Sequence, residues 1–226
     1  MAEKFVTIVR ILSFLIYLFS IYWQYIVQPP FLSPERKLFG PLIYLTYWDL
    51  LLQTGFFFLL LINQLFDSRR LKNFIDLIFY ALALPISWIV SSSFWILWAI
   101  DRELVLPASM DPYYPPWLNH STHTMIAILT IMELFVGKHK PPQTRKGFFI
   151  FFTFVITYAI WSLYLRMAMG FWVYPFLDQM NSTFVTLFYI SSLFLYSMTY
   201  FVSLFCGKYL CNNNQDHRPV KQRKNR

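Results

Sequence analysis

Six apolar runs, at residues 5–27, 41–66, 74–100, 117–136, 148–169 and 183–206, constrain this chain more than any other feature. Each is close to the roughly 20 residues that a helix needs to cross about 30 Å of hydrocarbon. Of 226 residues, 57% are hydrophobic and only 13% charged, about half the charged fraction of an ordinary soluble domain. A soluble fold of this length would leave much of that surface in water, and a bilayer removes the difficulty. Proline and charge fill the gaps, as in Gln28-Pro29-Pro30, Asp111-Pro112, Pro115-Pro116 and Pro141-Pro142. The pattern predicts an all-α fold, a polytopic membrane bundle of six transmembrane helices over residues 1–206, followed by a basic tail over 207–226. No connection is long enough for a separate soluble domain, so any activity belongs in the bundle or on its rim. Pro85 falls inside the third run and should kink it, which membrane helices accommodate.

Orientation follows from the placement of Lys and Arg. One side holds Lys4, then Arg69, Arg70 and Lys72, then Lys138, Lys140, Arg145 and Lys146, and finally Lys208 with Arg218, Lys221, Arg223, Lys224 and Arg226. The other side holds only Arg36, Lys37 and Arg102. The asymmetry places both termini in the cytosol. The formal charge of +8 therefore lies beside anionic head groups, which makes membrane lipids the expected partners and argues against nucleic acid; protein partners are not legible. Cys206 and Cys211 make no disulfide framework and fall on the reducing side, where palmitoylation is the alternative to an idle thiol. The first run has no small-residue cleavage site and reads as a retained helix. Retained helices, no disulfide framework and a basic tail fit the endoplasmic reticulum better than the plasma membrane. Two sequons, Asn119-His120-Ser121 and Asn181-Ser182-Thr183, fall on the lumenal side, both close to membrane edges.

Polar groups inside a membrane are costly, so each is a candidate functional group until a partner explains it. Most gather at the lumenal pole: Thr46 and Asp49, then Asp101, Arg102 and Glu103, then His120 and His123, and Arg166. At 1.5 Å rise per residue, Thr46 and His123 each lie roughly 8–9 Å below the start of their helices. They share a level. A hydroxyl attacks well only once a base takes its proton, and imidazole is the usual base. A carboxylate could orient the ring as a third member, with Asp101 or Glu103 nearest by level and Asp49 one turn below Thr46 on the same face. By residue chemistry alone the signal is weak, and a threonine bonding its own helix backbone or a neighbouring helix explains Thr46 better. His120 and His123 share a helix face, but the remaining histidines, His139 and His217, belong to the opposite side, so no metal or other cofactor is expected. Arg10 is expected to snorkel to the cytosolic interface, and Asp76 and Glu133 to meet basic loop residues. The polar residues form no chain across the bilayer, which disfavours an ion pathway.

Four stretches carry a resemblance: Leu45-Thr46-Tyr47-Trp48-Asp49-Leu50 with Gln53; Asp101-Arg102-Glu103; Trp117-Leu118-Asn119-His120-Ser121-Thr122-His123-Thr124; and Trp172-Val173-Tyr174-Pro175. With them the chain resembles the androgen-induced-gene family of six-pass membrane proteins. The resemblance implies a threonine hydrolase that cleaves the ester bond of fatty acid esters of hydroxy fatty acids. It places the family's nucleophile at Thr46 and its essential histidine at His123, and it matches a second histidine position with His120. Its lipid ester substrate would enter laterally from the bilayer. Asn119 and Arg166 lie on the right side to serve as oxyanion donors. The competing class is a non-catalytic lipid-binding or regulatory membrane protein.

Overall fold

The computed structural model describes residues 2–216, and no strand occurs among them. His217 and the tail cations Arg218, Lys221, Arg223, Lys224 and Arg226 lie outside the described residues. Six long helices follow the six apolar runs: α1 (Ala2–Ile26), α2 (Leu45–Phe66), α3 (Arg69–Ile100), α4 (116–136), α5 (Thr144–Met169) and α6 (Ser182–Asp216). Among the described residues five helices, all but α4, are long and apolar enough to cross a membrane. α4 is helical throughout, but Asn119, His120 and His123 in its first turns and Glu133 near its end lower its hydropathy. The chain is a multi-pass membrane protein with five such helices and a more polar sixth beside them.

Local chemistry sets the helix ends. Asp67 turns left-handed, with φ 43°, and ends α2. Ser68 then caps α3 by accepting the Leu71 N–H. α5 ends at Gly170, whose φ of 78° suits a residue without Cβ. α6 continues to Asp216, well past the end of the last apolar run at residue 206. The disturbance expected at Pro85 takes the form of a π-turn. Proline has no N–H, and its ring presses on the carbonyl four residues back. The preceding turn, Phe79–Ala83, widens so that the Leu84 N–H donates to Phe79 O, and the helix continues unbroken to Ile100.

Large aromatic side chains fill the interior, among them Tyr17, Phe56, Phe57, Phe79, Phe151 and Tyr200, all essentially inaccessible. Apolar contact with lipid costs nothing, so close packing and polar contacts must hold such helices together. At the pole opposite Thr46 the polar contacts form a row. Arg10 of α1 donates to Glu133 of α4 through Nε at 3.0 Å. His139 lies between Glu133 and Asp76, at 2.9 and 2.7 Å, and Lys72 reaches Asp76 at 2.7 Å. The His139 ring also stacks on Phe79 at 4.3 Å. Asp76 and Glu133 thus meet a loop residue, as expected. Arg10 differs from its expected path to the interface: it is buried, because the Glu133 carboxylate meets it at its own level.

Candidate active site

α2 begins with a first turn held by tyrosines. The Leu45 N–H donates to the Tyr158 hydroxyl at 2.9 Å, and that hydroxyl donates to Ile43 O at 3.1 Å. The Tyr47 and Trp48 N–H groups both reach Tyr44 O. Thr46 stands between them as the second residue of the helix, where an N–H has no partner within the helix itself. Its side chain faces α4, and Thr46 Oγ1 lies 3.2 Å from His123 Nε2. The shared depth read from the sequence is therefore a contact between neighbouring helices.

His123 lies inside a second π-turn, Ser121–Met125, a local widening that often occurs where a helix carries a functional group. Its ring is gripped on several sides. Nδ1 lies 2.8 Å from Asn119 Oδ1 and 3.2 Å from Asn119 O. Both partners are acceptors, so Nδ1 carries the proton and Nε2 faces Thr46 as a bare acceptor. Phe94 of α3 stacks on the imidazole at a centroid distance of 3.5 Å and an angle of 9°. Trp95 Nε1 donates to His123 O at 3.2 Å. The ring is buried and oriented by groups that fix both its tautomer and its plane.

The other residues singled out from the sequence take different places. Asp101 and Glu103 do not orient the ring: Asp101 caps the Glu103 N–H at 2.9 Å, and Glu103 accepts the Ala108 N–H at 2.9 Å. Both shape the loop after α3, which reaches over the site with Leu106 and Tyr114. Asp49 is fully buried below Thr46, and its Oδ1 accepts from Gln53 Nε2 at 2.8 Å. His120 points elsewhere, with Nδ1 3.2 Å from Thr124 Oγ1 and its ring stacked on Trp95 at 5.6 Å; it does not converge with His123 on a common point. Arg166 is exposed and donates to Gly170 O at 3.0 Å. Asn119, considered as an oxyanion donor, spends its side-chain oxygen on His123.

Thr46 and His123 open into a cavity of about 780 Å³. Its wall is largely apolar, with Phe94 and Leu97 from α3, Val155 and Tyr158 from α5, and Leu193 and Tyr196 from α6. A space of that size holds a drug-sized or short lipid molecule. The site thus defines a class: a multi-pass helical membrane protein with a threonine, a histidine and an asparagine in a row at the wall of an apolar cavity.

Comparison with known proteins gives the family. The FAR-17a/AIG1-like protein family matches residues 5–208, and the chain belongs to it. It is 28% identical to human androgen-induced gene 1 protein over 194 residues, covering 80% of this chain and 82% of that one. It is 32% identical to mouse androgen-dependent TFPI-regulating protein over 164 residues, covering 70% and 71%, and 34% identical to the human protein of that name over 145 residues, covering 61% and 63%. No solved structure matches the chain.

Proposed function

We propose that this chain is a membrane-embedded ester hydrolase acting on fatty acid esters of hydroxy fatty acids, with Thr46 as nucleophile and His123 as general base. The observation that carries the reading is the row Thr46 Oγ1, His123 Nε2 and Nδ1, Asn119 Oδ1, with 3.2 and 2.8 Å between partners, at the wall of an apolar cavity. Thr46 Oγ attacks the ester carbonyl as its proton passes to His123 Nε2, and Asn119 stabilises the imidazolium through Nδ1–H. Collapse of the tetrahedral intermediate breaks the acyl–oxygen bond, and His123 returns the proton to the departing alkoxide of the hydroxy fatty acid. Water, deprotonated by the same nitrogen, then hydrolyses the acyl-threonine to a free fatty acid and restores Thr46.

Negative charge on the carbonyl oxygen would develop beside the N-terminus of α2. The helix dipole is positive there, and the Thr46 N–H belongs to the first-turn donors that the helix leaves unpaired. In this reading α4 makes the sixth crossing, both termini face the cytosol, and the active pole faces the lumen of the endoplasmic reticulum. A non-catalytic lipid-binding protein is the competing reading. The cavity serves both, and the Thr46–His123–Asn119 row favours catalysis.

A hydroxyl-directed covalent probe tests the nucleophile. The expected adduct, located by peptide mass spectrometry, is on Thr46 and is lost in Thr46→Ala. Undiminished labelling of Thr46→Ala would show that another group reacts.

A further inference from the structure

The cations at the Thr46 pole are accounted for one by one. Arg102 pairs with Asp111. Arg166 donates to Gly170 O and lies 4.0 Å from Asp178, outside the cavity wall. Lys37 is exposed and donates to Pro30 O at 2.9 Å. Arg36 differs from all three. It is half-buried, it lines the cavity that holds Thr46 and His123, and among the described residues no carboxylate lies within ion-pair distance of it.

Arg36 is also held in place. It sits in the short helix Pro34–Phe39, whose N-cap Ser33 accepts the Arg36 N–H and whose C-cap Gly40 N–H donates to Arg36 O. Its guanidinium lies 4.5 Å from the centre of the Phe171 ring, and Nη2 donates to Trp172 O at 2.8 Å. One edge of the fork is thus bound to the protein, and the rest has no carboxylate partner. A guanidinium is always charged, and its fork geometry matches a carboxylate. Fixed at the wall of a largely apolar cavity, it fits a ligand with one anionic end and a long apolar body.

We infer that Arg36 holds the free carboxylate of the substrate while the ester lies at Thr46. The inference rests on the proposed hydrolase reading for the identity of the ligand and adds the determinant of its head-group specificity. An ester of a hydroxy fatty acid keeps one ionised carboxyl, which neutral glycerol esters lack. Arg36 therefore selects the acid form over neutral esters of the same chain length and fixes which end of the molecule faces the interface.

The test is equilibrium binding rather than turnover, with an analogue in which an ether replaces the ester, offered as the free acid and as its methyl ester. Full-length wild type, Arg36→Lys and Arg36→Gln are reconstituted in nanodiscs. Wild type should bind the acid about 10- to 100-fold more tightly than the methyl ester, the range for a hydrogen-bonded charge. Arg36→Gln should lose that ratio while keeping its affinity for the methyl ester, and Arg36→Lys should retain part of it. Because the readout is a ratio within each protein, loss of folded material does not mimic the effect. Equal wild-type affinity for the two forms overturns the inference, as does an equal loss for both forms in Arg36→Gln. Hydrolysis of the true ester is measured alongside: selectivity for the acid with no hydrolysis supports the Arg36 anchor and sinks the hydrolase reading.

Discussion

Asn119 Oδ1 lies 2.8 Å from His123 Nδ1, one turn back on the same helix. Since oxygen there accepts a hydrogen bond, the ring must offer Nδ1–H, and Nε2 is left bare toward Thr46. An uncharged amide does what the sequence suggested a carboxylate would do. Asn119→Ala should lower kcat by about 10- to 100-fold with little change in KM, because Asn119 O and Thr122 Oγ1 remain as weaker partners at 3.2 Å. Asn119→Asp should keep most of the activity. Steady-state kinetics on the reconstituted protein checks both, and an unimpaired Asn119→Ala would remove Asn119 from the mechanism.

The same contact bears on modification. Asn119 is 6% exposed and its side chain is engaged by His123, whereas glycosylation needs a surface asparagine. Peptide mass spectrometry should find Asn119 unmodified in the mature protein. A glycan there would mean that the 116–136 segment is not packed as described.

At the other pole, Glu133 faces both Arg10 and His139. Removing one partner of a buried ion pair leaves a charge without compensation, at a cost of about 3–5 kcal/mol. Glu133→Ala should therefore lower the thermal unfolding temperature in detergent, and the joint replacement Arg10→Met with Glu133→Met should recover much of the loss. Unchanged unfolding of Glu133→Ala would show the row to be energetically idle.

The proposed six crossings put the loops on either side of α4 in different compartments. In sealed vesicles with the cytosolic face outward, on a background with Cys206 and Cys211 replaced by serine, an impermeant maleimide should label Lys140→Cys and spare Ser109→Cys. Labelling of both positions would rule out α4 as a crossing.

Much of this was legible in advance. The six runs became six long helices, because segments of that length and composition have few alternatives. Thr46 and His123 could be set at one depth from rise per residue alone. That their helices are neighbours depends on packing between segments 77 residues apart, which a single sequence does not encode legibly. The part of Asn119 was missed although a signal existed: its spacing of four from His123 puts both on one helix face. Asp101 and Glu103 share the level of His123 along the membrane, but both are consumed by the caps of their own loop. The π-turn at Phe79–Ala83 had a sequence cause in Pro85, whereas the one around His123 had none that we recognise. The burial of Arg10 is not legible in the sequence because its partner, Glu133, is 123 residues away.

Whether Thr46 and His123 form one catalytic pair is decided by turnover. Membranes carrying equal amounts of wild type, Thr46→Ala and His123→Ala are each offered a fatty acid ester of a hydroxy fatty acid, and released fatty acid is measured. Wild type alone should release it, with both variants at the level of membranes lacking the protein. Equal release by all three would contradict it and leave the cavity as a lipid-binding site.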